Sequence, residues 1–536
     1  MSATLFTGGV IWTGRQDTDA LLVVDGVVTG IGDDARRDTA DVVVDLDGGF
    51  LMPSFGDGHA HPLYGGLEAV GAAVRGCTSV DEILLAVRRF AEQHPDEEWI
   101  VGASYDGSLA EGGLFDARWL DAAVPDRPVV LRAWDYHTVW CNSVALERAG
   151  ITADTPDPPL GEIPHREDGS VLGTLREWGA VDLVMNVMPP RDEQTRIDAL
   201  GTAADYYLAR GVTWVQDAWV EPADVSTYVE AARRDALRVR YNLALYADPR
   251  HFDSQVTHFA EQKRRVDAAA NPLLTAHTVK FFADGVVENE TGALLAPYCS
   301  GLHSHNLGMR NWEGDSLAEA ARRVDELGLQ IHIHAIGDAA VRQALDAVEY
   351  VVTHNGPRDR RPVIAHCQLV DDADLARFAA LGVIPNMQPL WAQLDALMTV
   401  LTIPRLGQDR ADKQYRINTL DTSGAALSFG SDWPVSSGAP LDGIAVATSR
   451  RTADGSPEGG WTPHEVLPVE RALAAYSGGV ANQAFAEHLW GAITPGASAD
   501  LVWLERDPRT TPSLDLPSVG VRATYLRGTR MYEAES

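Results

Sequence analysis

Lysine is almost missing from this chain. Of its 44 basic residues only Lys263, Lys280 and Lys413 are lysines, and the rest are arginines. Basic charge as a whole is short: 76 acidic residues outweigh the 44 basic ones, for a net charge of −32. Nucleic-acid backbones and anionic membranes would be repelled by such a chain, so both are excluded as expected partners. Cysteine is also scarce. Cys77, Cys141, Cys299 and Cys367 are widely separated and form no CxxC pair, which speaks against a disulfide framework and fits free thiols in a reducing compartment. No apolar run approaches membrane-spanning length, and the opening "MSATLFTGGVIWTGRQ" has no basic stretch followed by an apolar core. A soluble cytoplasmic protein is the expectation. Internal repeats and low-complexity tracts are absent as well.

What remains is an ordinary globular composition, 45% apolar and 22% charged over 536 residues. That length predicts one large domain with attachments, or two to three domains. The first fifty residues read as short strands broken by turns, with Asp25–Gly26 as a hairpin signal. The end of the chain, "ADLVWLERDP" and "GVRATYLRGTRMYE", has the same character. Residues 1–52 and 486–536 are therefore expected to form one small β-sandwich, and 53–485 a separate body. In that body "GFLMPSFGDGH", "VTWVQDAWV", "VRYNLALYA", "TVKFFADG", "LQIHIHAIGD", "PVIAHCQLV", "GVIPNMQP" and "ALSFGSDWPV" are strand candidates, with helical stretches between several of them. Eight such strands predict an α/β fold, a parallel (β/α)8 TIM barrel. The span between the first two is far longer than a usual connection. Residues from about 66 to 198, with strands of their own, are read as an inserted lobe over the barrel mouth.

The chemistry gathers at the strand ends. His59 and His61 lie two apart in "FGDGHAHP", so on a strand both imidazoles aim the same way. That alone is weak, since "HSH" (His303, His305) and "HIH" (His332, His334) repeat the pattern. His334, His366 and Asp432 stand at the ends of three further strands, however, and a barrel brings such ends around one cavity. Four histidines and an aspartate suit zinc or a similar divalent ion. Lys280 sits in the apolar strand "HTVKFFADG", where a bare ammonium is costly to bury. Two readings are open for it: a carboxylated lysine whose carbamate bridges two metals, or an amine paired with Asp284 or Glu288. Asp432 can take a proton from activated water and pass it to a leaving amine; a helix cap is its plainer alternative. His332 reads as a packed strand residue. His137, Asp284, Asn289 and Trp433 are candidate substrate contacts, and His303 and His305 candidate pocket residues.

At this point the chain resembles the metal-dependent amidohydrolase superfamily, and within it the amidohydrolase family 3 group that includes N-substituted formamide deformylase-like enzymes. The likeness runs through "LFTGGVIWTG", "GFLMPSFGDGHAHP", "PVVLRAWDYHTVWCNSVAL", "GSVLGTLREWGA", "GVTWVQDA", "VKFFADGVVENETGALLAPY", "IHAIGDAAV", "IAHCQLV", "FGSDWPV" and "GAITPGASADLVWLERDP". It implies a centre of one or two divalent ions. His59 and His61 would come from the first strand, Lys280 would bridge, His334 and His366 would complete the second ion's set, and Asp432 would be ligand and general acid/base. Ser54 stands where the family usually has glycine. The implied activity is hydrolysis of an amide, formamide or cyclic amide C–N bond in a small molecule. An ester or lactone hydrolase on the same centre, and a silent binding or scaffold relative, are the rival readings. A homodimer is expected by analogy with such barrels.

Overall fold

The computed structural model describes residues 2–299 and 305–535. Its centre is an eight-stranded parallel sheet whose strands follow chain order. They are β1 (Phe55–Ala60), β2 (Val212–Val220), β3 (Arg240–Tyr246), β4 (Leu274–Phe282), β5 (Gln330–Ala335), β6 (Val363–His366), β7 (Ile384–Met387) and β8 (Ser428–Phe429). Nearly every residue of these strands is buried, as expected when helices cover the outer face and side chains fill the inside. Helices Glu193–Leu208, Ser316–Glu326 and Asp338–Asn355 stand among the outer ring, and the expected eight-stranded barrel is the observed one.

The barrel closes between β8 and β1 through the segment just beyond β8. Asp432 N–H donates to the His59 carbonyl at 2.7 Å, and Ser431 N–H to Asp57 Oδ1 at 2.8 Å. Here the chains approach so closely that a Cβ on Gly430 would lie 2.6 Å from the His59 backbone nitrogen. Only glycine fits that seam. One expectation needs correcting: "GFLMPSFGDGH" is two strands, not one. Phe50–Pro53 pairs with Leu501–Leu504 in another sheet, and β1 begins at Phe55. Ser54 is the joint, with its N–H on the Asp500 carbonyl and its hydroxyl 2.6 Å from Thr213 Oγ1.

Strands from both chain ends share a six-stranded sheet, in which Phe50–Pro53 lies between Leu501–Leu504 and Val10–Trp12. A four-stranded sheet from the first 45 residues packs on it through Phe6, Leu21 and Val23 against Leu51, Leu501 and Tyr525. Between β1 and β2 a lobe carries its own four-stranded sheet, Ile100–Tyr105, Val129–Ala133, Thr138–Cys141 and Thr174–Arg176, and its own apolar clusters.

Barrel interiors are usually filled by layers of branched apolar residues. The lower layer of this one is polar. Asn242 donates to Gln216 and Thr278 at 2.8 Å each, Thr278 to Gln330 at 2.9 Å, and Asn386 to Ser428 and Gln483 at 3.0 Å. Each amide is satisfied by its neighbours, which is the condition under which a buried network rigidifies a core.

Arg240, at the start of β3, and Asp500, beside the six-stranded sheet, form a buried ion pair at 2.9 Å that ties the two bodies together. Asp500→Ala leaves the guanidinium buried and unpaired. We expect a loss of about 3–5 kcal/mol, read as a lower thermal unfolding midpoint with metal content of the folded protein unchanged. An unmoved midpoint would remove this pair from the structural account.

Candidate metal centre

Two residues further along each strand from the polar layer, the interior changes character. Register pairs Thr278 with Gln330, Lys280 with His332 and Phe282 with His334, so β4 and β5 climb the interior in step. His59 and His61 rise beside them from β1, and His366 ends β6. Asp432 follows β8 across the seam. Its Oδ1 lies 2.9 Å from His61 Nε2 and 3.4 Å from His59 Nε2, and one ligand atom from each of the three residues falls within 4.8 Å of the others. His366 and His334 continue the arc, with ring centroids 4.7 Å from His59 to His366 and 4.6 Å from His366 to His334.

The other nitrogen of most of these rings is occupied. His366 Nδ1 meets Gln388 Oε1 at 2.8 Å, His334 Nε2 meets the Gly285 carbonyl at 3.1 Å, and His59 Nδ1 meets His332 Nε2 at 2.8 Å. Such outer contacts fix the tautomer and aim the free nitrogen. His332 thus orients His59, a role the reading of it as a packed residue missed. The signal was in the sequence: His332 stands two before His334 on the same strand.

Burial pushes His59, His61 and His334 below the usual imidazole range and His366 down to about 3, so these rings are neutral at pH 7. Burial works against ionised Asp432, but hydrogen bonds from His59 and His61 hold its carboxyl well below the carboxylate range. Neutral imidazoles and an ionised carboxylate are the forms that bind a cation. His61 Nδ1 is buried without a hydrogen-bond partner among the described residues, and Asp432 Oδ1 meets only the His59 and His61 rings among them. These residues fit a divalent ion of the zinc type. Backbone geometry points the same way. His366 and Asp432 both adopt left-handed φ, +74° and +58°, a conformation costing on the order of 1 kcal/mol or more that concentrates at functional sites.

Lys280 is fully buried inside the ring. Its Nζ lies 3.3 Å from His59 Nε2 and 4.6 Å from the Phe282 ring. The expected alternative partners are engaged elsewhere. Asp284 accepts the backbone N–H groups of Ala293, Ile336 and Gly337, and Glu288 accepts the Thr402 hydroxyl. Burial lowers the amine's pKa to about 7, leaving much of it uncharged near neutrality.

A cavity of about 280 Å³ opens above these residues, walled by His59, His61, His334, His366 and Asp432 below and by Trp178, Trp219, Phe282 and Trp391 around. The inserted lobe contributes Trp134, Tyr136 and His137. Of the four expected substrate contacts, His137 reaches this wall and three do not. Asp284 is spent holding loop backbone and has no exposed surface. Trp433 stacks on Tyr206 of helix Glu193–Leu208 at 4.5 Å and does not line the cavity. Asn289 bonds Thr138 in a neighbouring crevice. His305 is exposed, and His303 lies outside the described residues.

A parallel barrel with neutral imidazoles and a carboxylate converging at its mouth defines the class of metal-dependent hydrolases. The model of the amidohydrolase family matches residues 42–532, and the chain belongs to that family. It is 28% identical to putative amidohydrolase YtcJ of Bacillus subtilis, over 99% of each chain. It is 26% identical to N-substituted formamide deformylase of Arthrobacter pascens, over 92% of this chain and 90% of that one. A metal-dependent hydrolase from Pyrococcus horikoshii superimposes with a TM-score of 0.75 at 24% identity, covering 96% of this chain and 99% of that one.

Replacing His332 by Leu removes the partner of His59 Nδ1. Metal affinity should fall by about 10–100-fold in a competition titration against a chromophoric chelator. Unchanged affinity would return His332 to a packing role.

Proposed function

We propose that this protein hydrolyses a C–N bond of a small molecule, an amide, formamide or cyclic amide, with His59, His61, His334, His366, Lys280 and Asp432 holding one or two divalent ions, zinc by donor type. The convergence of His59, His61 and Asp432 within 4.8 Å, backed by His334 and His366, carries the reading. A divalent ion there supplies Lewis acidity and brings water towards ionisation at neutral pH. Asp432 is the proton carrier. Its carboxylate accepts a proton from the attacking water and returns it to the departing nitrogen, and its buried, otherwise unbonded Oδ1 is the atom suited to that exchange. A nitrogen leaving group needs such a proton, and the formamide-cleaving relative supports the choice of bond.

Lys280 enters as a carbamate. Its amine adds to carbon dioxide, forming an N–C bond and releasing one proton, and the resulting anion offers oxygen donors where an ammonium would repel a cation. The lowered pKa supports this, because addition requires the free amine. The cavity's size and its aromatic walls fit a small organic substrate. No helix among the described residues is long and apolar enough to cross a membrane. The acidic charge and unpaired cysteines support a cytoplasmic setting.

Metal analysis should return at least one divalent ion per chain, removal by a chelator should abolish turnover, and re-addition should restore it; less than one ion per chain would sink the reading. Asp432→Asn should fold, retain the thermal midpoint within a few degrees and lose activity by about 10²–10⁴-fold. Retained turnover would take the proton-carrier role from Asp432. A panel of formamides, N-acyl amines, cyclic ureas, esters and lactones decides the bond. Preference for esters or lactones would overturn the C–N assignment while leaving the centre in place.

A further inference from the structure

We infer that the inserted lobe supplies the group that recognises the substrate: His137, clamped by Glu177, hydrogen-bonds through Nε2 to an oxygen of the molecule lying beside the scissile bond. This deepens the hydrolase reading above and rests on it. His137 precedes the lobe strand Thr138–Cys141 and hangs over the metal ligands, its ring 5.4 Å from that of His334. Its Nδ1 is taken by Glu177 Oε2 at 2.7 Å, and both side chains are almost completely buried. The ring nitrogen left for a ligand is Nε2, on a residue that lines the cavity.

The clamp is built from both bodies. Glu177 donates its own N–H to the His137 carbonyl at 2.8 Å, and its second carboxylate oxygen accepts the Thr291 hydroxyl at 2.5 Å from the segment after β4. Asp135 accepts the His137 N–H at 2.8 Å. Glu177 holds a left-handed φ of +60°, a strained state for a residue with a side chain. So many constraints converge on one imidazole that its orientation is fixed before any ligand arrives, the preorganisation a binding group requires.

A purely structural His–Glu pair has no need to stand in the cavity wall. His137 does, in a wall it shares with Trp134, Asp135, Tyr136 and Trp178, with the Trp178 ring at 4.8 Å. Two of those neighbours add to the case. Trp134 and Trp178 both line the cavity, and their indole N–H groups are buried without a partner among the described residues. The class of ligand that satisfies it pairs an oxygen acceptor with an apolar group of ring size, the acceptor towards His137 and the apolar group against Trp178, Trp219 and Phe282. His137 is then a substrate-contacting residue and Glu177 a positioning residue.

The test uses His137→Ala and Glu177→Gln in the metal-loaded full-length protein. Metal content, kcat and KM on the amide panel, and calorimetric affinity for benzohydroxamate are measured for both. His137→Ala should keep the wild-type metal content and lose about 10–100-fold in kcat/KM, as expected when a buried substrate acceptor loses its donor, with weaker benzohydroxamate binding. Glu177→Gln should show a smaller loss in the same direction, mainly in KM, and carries the test alone if the alanine variant does not fold. Loss of a metal equivalent in His137→Ala would make the residue a ligand and overturn the inference. Wild-type kcat/KM and hydroxamate affinity in the variants would overturn it as well. If wild-type protein turns over no amide but binds benzohydroxamate, the C–N assignment falls, and weaker binding by the variants still supports His137.

Discussion

The barrel depends on how it is closed. β1 and β8 are farthest apart in the chain order of the sheet, and the segment after β8 joins them by donating Asp432 N–H to the carbonyl of His59. The same residues meet again through their side chains, where Asp432 Oδ1 faces His59 and His61. One seam therefore does two things: it completes the barrel and it assembles the donors. Such a seam tolerates no spacing error, and the glycine at 430 is what lets the two segments come close enough. Asp432 takes up a left-handed backbone at this point because the strand must turn inward to present its carboxylate. The strain is held in place by the hydrogen bonds of the closure and by cation attraction when the centre is loaded.

Below the seam, the polar layer of Gln216, Asn242, Thr278, Gln330 and Asn386 has a consequence for the residues above it. A buried imidazole or amine needs neighbours that do not shift. An apolar layer would pack tightly but would leave rotamers free to slip by small amounts, whereas amides bonded to one another have a single arrangement that satisfies every group. Lys280 and His332 stand one step above Thr278 and Gln330 in register. Their positions are thus inherited from a hydrogen-bonded floor. The cost is several desolvated polar side chains, offset only because each finds its partner.

Much of this was legible in the sequence, and the limits are physical. Seven of the eight barrel strands stood out because buried parallel strands are rich in apolar residues, the first was merged with its neighbour, and the candidate ligands stood at strand ends. The split at Ser54 was hidden, since both strands are buried and the chain passes through Ser54 from one sheet to the other without a turn. His332 was underestimated because a strand's period says which side a residue faces and not what it touches there. Asp284, Asn289 and Trp433 lie off the wall of this cavity for a related reason. Their neighbourhood in sequence is rich in site residues, but loop carboxylates and amides next to a cavity are commonly used up by backbone N–H groups, as Asp284 is by three. No pattern in one chain shows that. Glu177 was equally invisible, because its partner lies 40 positions away in another part of the lobe.

The division of labour between barrel and lobe follows from these constraints. The barrel residues proposed to hold a cation are fixed by register, by the seam and by the polar floor, so each has little freedom to change without disturbing another. The lobe is attached only at its ends and through contacts such as Thr291 to Glu177. Its Trp134 and Tyr136 line the cavity from outside the barrel strands, while His137 is held by Glu177 and, through it, by Thr291. On the reading proposed above, chemistry belongs to the barrel strands and recognition to the lobe, each held by its own set of contacts. For a barrel enzyme this places the specificity question in the residues between β1 and β2, outside the strands that make the family recognisable.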